Sequence, residues 1–112
     1  MNDSPLSAIH RYYGYLSDRN TIKAYELLSA AYRQRETFVN YTRAFASTTA
    51  LRLTSARVLE SNGDSATVSV TFEKDNRRFG WITWSGPVRL VLDPDGWRID
   101  SVSSIRALPR RR

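Results

Sequence analysis

Leu6, Ile9, Tyr13 and Leu16 recur three or four residues apart, the spacing of one apolar stripe on a helix. Ser4-Pro5 in front of them is a helix start, with serine as cap and proline in the first turn, where no amide donor is missed. Ser17-Asp18-Arg19-Asn20 breaks the pattern, and Asn20 or Thr21 caps a second predicted helix. That helix turns Ala24, Leu27, Leu28 and Ala31 inward and runs to about Arg35. A third, shorter helix follows Glu36-Thr37, with Phe38, Tyr41 and Phe45 on one side.

After Thr48 the period changes from 3.6 to 2, which marks strands. Leu51 and Leu53 alternate with Arg52 and Thr54, then the phase slips so that Ala56 and Val58 are the next apolar pair. A slip of one residue predicts a β-bulge near Ser55. Asn62-Gly63 predicts a hairpin turn. Ala66, Val68, Val70 and Phe72 then face one way, and Thr67, Ser69, Thr71 and Glu73 the other. Asp75-Asn76 turns into a long strand from Arg77 to Asp93, where Gly86-Pro87 predicts a kink or bulge because proline cannot donate to a ladder. Asp93-Pro94-Asp95-Gly96 is a tight turn, and Trp97-Arg98-Ile99-Asp100 opens the closing strand. The expected architecture is α+β: three N-terminal helices on the concave face of a strongly bent antiparallel meander, together a cone with a hollow between the layers.

The chain has 112 residues, room for a single domain, and its apolar fraction of 41% suffices for a core without staples. It has no cysteine, which removes disulfides and thiolate chemistry, and its single histidine removes a histidine-rich metal site. No metal or cofactor is expected. No apolar run approaches the roughly 18 residues that span a bilayer. Met1-Asn2-Asp3-Ser4-Pro5 lacks the basic flank and apolar stretch of a signal peptide. The net charge of +6 raises the question of nucleic acid, with Arg77, Arg78, Arg106 and the terminal arginines as its candidate contacts. Arg110, Arg111 and Arg112 follow Pro109, however, and without them the charge is +3, spread thinly from Arg11 to Arg106. A phosphate-tracking face needs several cations together, so nucleic acid is disfavoured. The expected organisation is an N-terminal extension over 1–4, a domain over 5–104 and a basic tail over 105–112.

The order of elements resembles the nuclear transport factor 2-like superfamily, within the cystatin-like cones. The resemblance rests on Ala8-Ile9-x-x-Tyr12-Tyr13-x-x-Leu16, Ala24-Tyr25-Glu26-Leu27-Leu28-Ser29-x-x-Tyr32-Arg33, Phe38-x-x-Tyr41 and Gly96-Trp97-Arg98-Ile99-Asp100-Ser101. It covers about residues 5 to 104. The second of these phrases is similar to bacterial members that are accessory domains of membrane-anchored or envelope proteins. It therefore implies an extracytoplasmic or envelope-associated place, part of a larger protein, and a domain that senses a ligand or contacts a protein. Ketosteroid isomerase, SnoaL-like cyclases and scytalone dehydratase share the superfamily, so a small isomerase or cyclase acting on a lipophilic molecule is the alternative.

Enzymes of this kind hold acids inside the cone, and here the acids of the sheet half fall elsewhere. Asp64, Asp75, Asp93 and Asp95 read as turn residues, Glu60 lies beside a turn, and Glu73 and Asp100 alternate with Phe72 and Ile99 and so face out, Asp100 beside Arg89 or Arg98. No catalytic residue is assigned. The enzyme alternative would have to pair His10 with Tyr13 or Tyr41. His10 sits roughly 80° from the centre of the first helix's stripe, at the rim of the cone or on the surface. The residues expected to line a pocket for a small apolar ligand are His10, Tyr13, Tyr41, Phe45, Phe72 and Trp81. Trp81 and Trp84 fall on opposite faces of an unbroken strand, with Ile82 on the face of Trp84. Trp84, Ile82 and Arg89 are accordingly expected on the convex face, a surface for a homodimer partner, unless the Gly86-Pro87 kink buries both tryptophans.

Overall fold

In the computed structural model, which describes residues 3–109, the helical half is four short helices. They are α1 (Pro5–Ser17), α2 (Thr21–Glu26), α3 (Ala30–Arg35) and α4 (Phe38–Arg43). Ser4 caps α1 as expected: its hydroxyl accepts from the Ser7 amide, and the Ser7 hydroxyl accepts from the Ser4 amide, at 3.1 Å each. The single helix expected from Thr21 to Arg35 is broken at Leu27-Leu28-Ser29. There the backbone leaves the helix to pair with the closing strand. The Ile99 amide donates to Leu27 O at 2.8 Å, and the Ser29 amide donates to Ile99 O at 2.7 Å. Edge-strand amides and carbonyls need partners, and the break supplies them while carrying Leu28 into the core. Ser29 then caps α3 by accepting from the Tyr32 amide, and its own hydroxyl donates to Asp100 Oδ1 at 2.7 Å. Asp100 thus faces Ser29 and not Arg89 or Arg98.

The sheet is an antiparallel meander of β1 (Thr48–Asn62), β2 (Ser65–Asn76), β3 (Gly80–Asp93) and β4 (Gly96–Ser101). A short β5 (Arg106–Ala107) pairs with β3 beside Trp84 and Ser85. β1 carries the expected bulge, with the register slipping between Leu53 and Ser55, and two more slips lie near Thr48 and Val58. Each adds a residue to β1 against β2 and increases the bend, which curls the sheet around the helices. The β1–β2 turn is Gly63-Asp64, one residue later than expected. Of these two central residues only Gly63 has positive φ, at 50°, the pattern of a II′ turn. No slip occurs between β2 and β3 at Gly86-Pro87: the register runs unbroken from Ser65 opposite Val91 to Asn76 opposite Gly80. Pro87 instead lies beside the gap between the β5 and β4 pairings, where β3 has fewer ladder bonds to make.

Ala8, Ile9, Tyr12, Tyr13 and Leu16 of α1 pack on the alternating set Val68, Val70, Phe72, Val88, Leu90 and Ile99, and this contact is the core. The architecture is the expected α+β cone with one more helix than anticipated. Both expected ends are tied in more closely than their boundaries imply. Ile105 packs against the core and Arg106–Ala107 belong to the sheet, so the chain is integrated through 107; the expectation for Arg110, Arg111 and Arg112 lies outside the described residues.

At the other end, the Trp97 amide donates to Asp3 Oδ2 at 2.8 Å, and Arg11 pairs with Oδ1 at 2.9 Å. Burial pushes the Asp3 carboxyl upward, but the Trp97 amide, Arg11 and Ser7 together hold it below the usual carboxylate range. A folded value below the unfolded one, about 3.9, makes this contribution complete above that unfolded value and lost as pH falls through the folded one. Asp3→Asn is therefore expected to be less stable than the parent at pH 7, with the gap narrowing as pH falls below the usual carboxylate range. Urea unfolding across that range checks this, and a gap that stays constant with pH would count against the anchoring role.

Candidate functional site

The hollow of the cone lies between the inner sheet face, α1 and the chain after β4, with a volume of about 190 Å³. α1 contributes Tyr12, Tyr13 and Leu16, because all three are on its buried side, Leu16 about one turn after the tyrosines. Phe45, just past α4, closes one end with Leu51 of β1. Phe72 and Lys74 of β2 and Trp84 of β3 form the floor, and Val102 and Ile105 close the other side.

The floor follows from strand phase. Phe72 lies opposite Trp84 and Lys74 opposite Ile82, so all four share the inner face. This reverses the expectation for the two tryptophans. Because β3 keeps its register across Pro87, Ile82 and Trp84 stay in phase with the buried Val88 and Leu90. Trp84 therefore lines the hollow, and Ile82 is half-buried on the same side. Trp81 is on the outer face, 41% exposed, with the Arg52 guanidinium 4.4 Å from its ring centre. Arg89, between the buried Val88 and Leu90, is exposed on that outer face, so it does not share a face with Trp84 and Ile82 as expected.

Of the other expected lining residues, Tyr13, Phe45 and Phe72 lie on the wall. Tyr41 does not; it stands behind the wall, where its hydroxyl and that of Tyr12 share a 2.7 Å hydrogen bond in the interior. His10 is exposed and lines a different depression, between α1 and the bulged part of β1 around Ser55. His10 and Tyr13 both border that depression, while neither His10 nor Tyr41 lines the hollow, so a pair of His10 with either tyrosine is not assembled in the hollow. Pattern reading missed Tyr12, Leu16, Leu51, Lys74, Val102 and Ile105. Lys74 had a signal, since it continues the even-numbered run from Ala66 to Phe72.

The wall is aromatic and tightly ordered. The Tyr13 ring lies 5.1 Å from that of Tyr12, edge-on, and 5.0 Å from that of Phe72. Burial pushes the Tyr12, Tyr13 and Tyr41 hydroxyls well above the usual tyrosine value, so all three stay protonated at neutral pH. The Lys74 ammonium sits 4.6 Å from the Trp84 ring centre and 5.7 Å from that of Phe45, in the range of cation–π attraction. Desolvation lowers its pKa. The ion pairs among the described residues are Arg11–Asp3, Arg52–Glu73 and Arg98–Asp93, and Lys74 takes part in none. The Trp84 indole N–H is shielded and has no acceptor among the described residues. Those residues contain no cluster of acids and histidine able to hold a metal ion, and no helix long and apolar enough to cross a membrane.

No protein-family model matches this chain, and no curated protein does. Among solved structures, the fold is similar to that of a Novosphingobium aromaticivorans protein provisionally described as an aromatic ring hydroxylase. The TM-score is 0.60 over 92% of this chain and 90% of that one, at 13% sequence identity. Likeness at that identity concerns architecture, and the architecture fits the cone of the nuclear transport factor 2-like fold.

Proposed function

We propose that this chain is a non-catalytic domain that binds a small, largely apolar molecule in its hollow, as an accessory module of a larger bacterial protein. The observation that carries the reading is the hollow itself: a concave, aromatic-walled cavity with a few polar groups is the usual form of a small-molecule site. Binding without turnover is favoured by the chemistry of the wall. Its tyrosines are held protonated by burial, and no carboxylate or imidazole lines it to exchange a proton with them or with Lys74. Among the described residues, the wall therefore offers groups that grip and orient, without a carboxylate or imidazole beside them.

Thermal unfolding in the presence of toluene, phenol and benzamide tests this. A ligand that binds the folded state raises the melting temperature with concentration. At least one of these one-ring compounds is expected to do so, and Ile105→Trp, which fills the hollow from its rim, is expected to abolish the shift. Absence of any shift would contradict the reading. So would conversion of a bound compound to product at a rate that Ile105→Trp removes.

A further inference from the structure

Lys74 has carboxylates on both sides in sequence, yet the pleat denies it both. Glu73 and Asp75 alternate to the outer face, where Glu73 Oε1 accepts from Arg52 at 2.7 Å and Asp75 Oδ2 accepts from Thr49 at 3.0 Å. The ammonium is left on the inner face as the single charged side chain of the wall, half withdrawn from water and covered by two ring faces. Cation–π attraction offsets only part of the lost hydration, and a buried charge ordinarily finds a counter-charge. Inside the hollow, that counter-charge has to come with the ligand. The Trp84 indole, whose ring the ammonium covers, also has an N–H without an acceptor. An acceptor entering the hollow is the group that Lys74 lacks, whereas the Trp84 N–H is shielded from that space.

Size and charge narrow the ligand further. An engineered apolar cavity of about 150 Å³ holds benzene, and drug-sized sites begin near about 300 Å³. The hollow, at about 190 Å³, has room for one ring and a small head group. A single lysine neutralises one negative charge, so a dianion such as a phosphate ester would leave charge buried and unpaired. We propose that the hollow takes a one-ring carboxylic acid in its anionic form, the ring against Tyr13 and Phe72 and the carboxylate paired with Lys74. This rests on the hollow being the ligand site.

Calorimetric titration of the full chain with benzoate and with benzamide, its neutral isostere, tests the assignment. Benzoate is expected to bind about tenfold or more tightly than benzamide, as a charge-assisted hydrogen bond adds. Lys74→Met is expected to remove that preference and bring benzoate to the affinity of benzamide or below it. Equal binding of the two compounds by the parent protein, or a preference that survives in Lys74→Met, would overturn the carboxylate assignment and leave the hollow as a site for neutral molecules. If toluene raises the melting temperature and neither titrant binds, the assignment fails alone. If none of toluene, phenol, benzamide and benzoate binds, the hollow is not the site and both readings fall.

Discussion

Gly86→Ala is expected to destabilise the domain by about 1–3 kcal/mol and to open the hollow in the same step. A Cβ at Gly86 would lie 2.7 Å from Ser104 O and 2.8 Å from Ile105 Cα. Both are backbone atoms, so no side chain can swing aside to make room. The segment 104–107 would have to lift from β3. With it would go the pairing of Arg106 and Ala107 with Ser85 and Trp84, and the Ile105 side chain that closes the wall. Urea unfolding gives the loss of stability. Amide hydrogen exchange gives its location, because Leu108 N–H, which donates to Thr83 O at 2.8 Å, should lose protection first. Parent-like stability with Leu108 still protected would mean that this close crossing is not a constraint on the fold.

A larger loss is expected from Leu28→Ala, about 2–5 kcal/mol, the range for deleting a fully buried leucine side chain. Leu28 has no exposed surface and sits at the point where the chain between α2 and α3 pairs with Ile99. Shortening it removes apolar contact and loosens the backbone bonds that cover the edge of β4. Ile22, the second residue of α2 and 62% exposed, provides the control: Ile22→Ala is expected to change stability by no more than about 0.5 kcal/mol. Denaturant midpoints of the two variants, compared at equal slope, test the contrast. Similar small losses for both would place Leu28 outside the cooperative core.

The parts of this fold legible in sequence are those where side-chain period alone decides. The stripe from Leu6 to Leu16, the change of period at Thr48 and the phase slip that became the bulge between Leu53 and Ser55 are of this kind. What stayed hidden depends on partners distant in sequence. Leu27 to Ser29 has helical spacing on both sides, and only the unpaired edge of β4 explains why it leaves the helix. The two tryptophans were given to the wrong faces because alternation shows only that they are opposed; the ladder to β2, unbroken through Pro87, is what puts Trp84 in phase with Val88 and Leu90. Lys74 kept the inward phase of Phe72, but its chemistry arises from rings supplied by Phe45 and Trp84, which no local pattern brings together.

The most direct measurement is a two-dimensional ¹H–¹⁵N titration of the labelled protein with benzoate or with whichever one-ring compound binds. The indole N–H signals of Trp84 and Trp81 report the inner and outer faces of one strand. If the cone's interior receives the ligand, the Trp84 signal moves to saturation together with the amides of Leu51, Lys74 and Ile105, and the Trp81 signal stays in place. Movement confined to Trp81, or to His10 and Ser55 in the outer depression, with Trp84 unchanged at saturation, would contradict it.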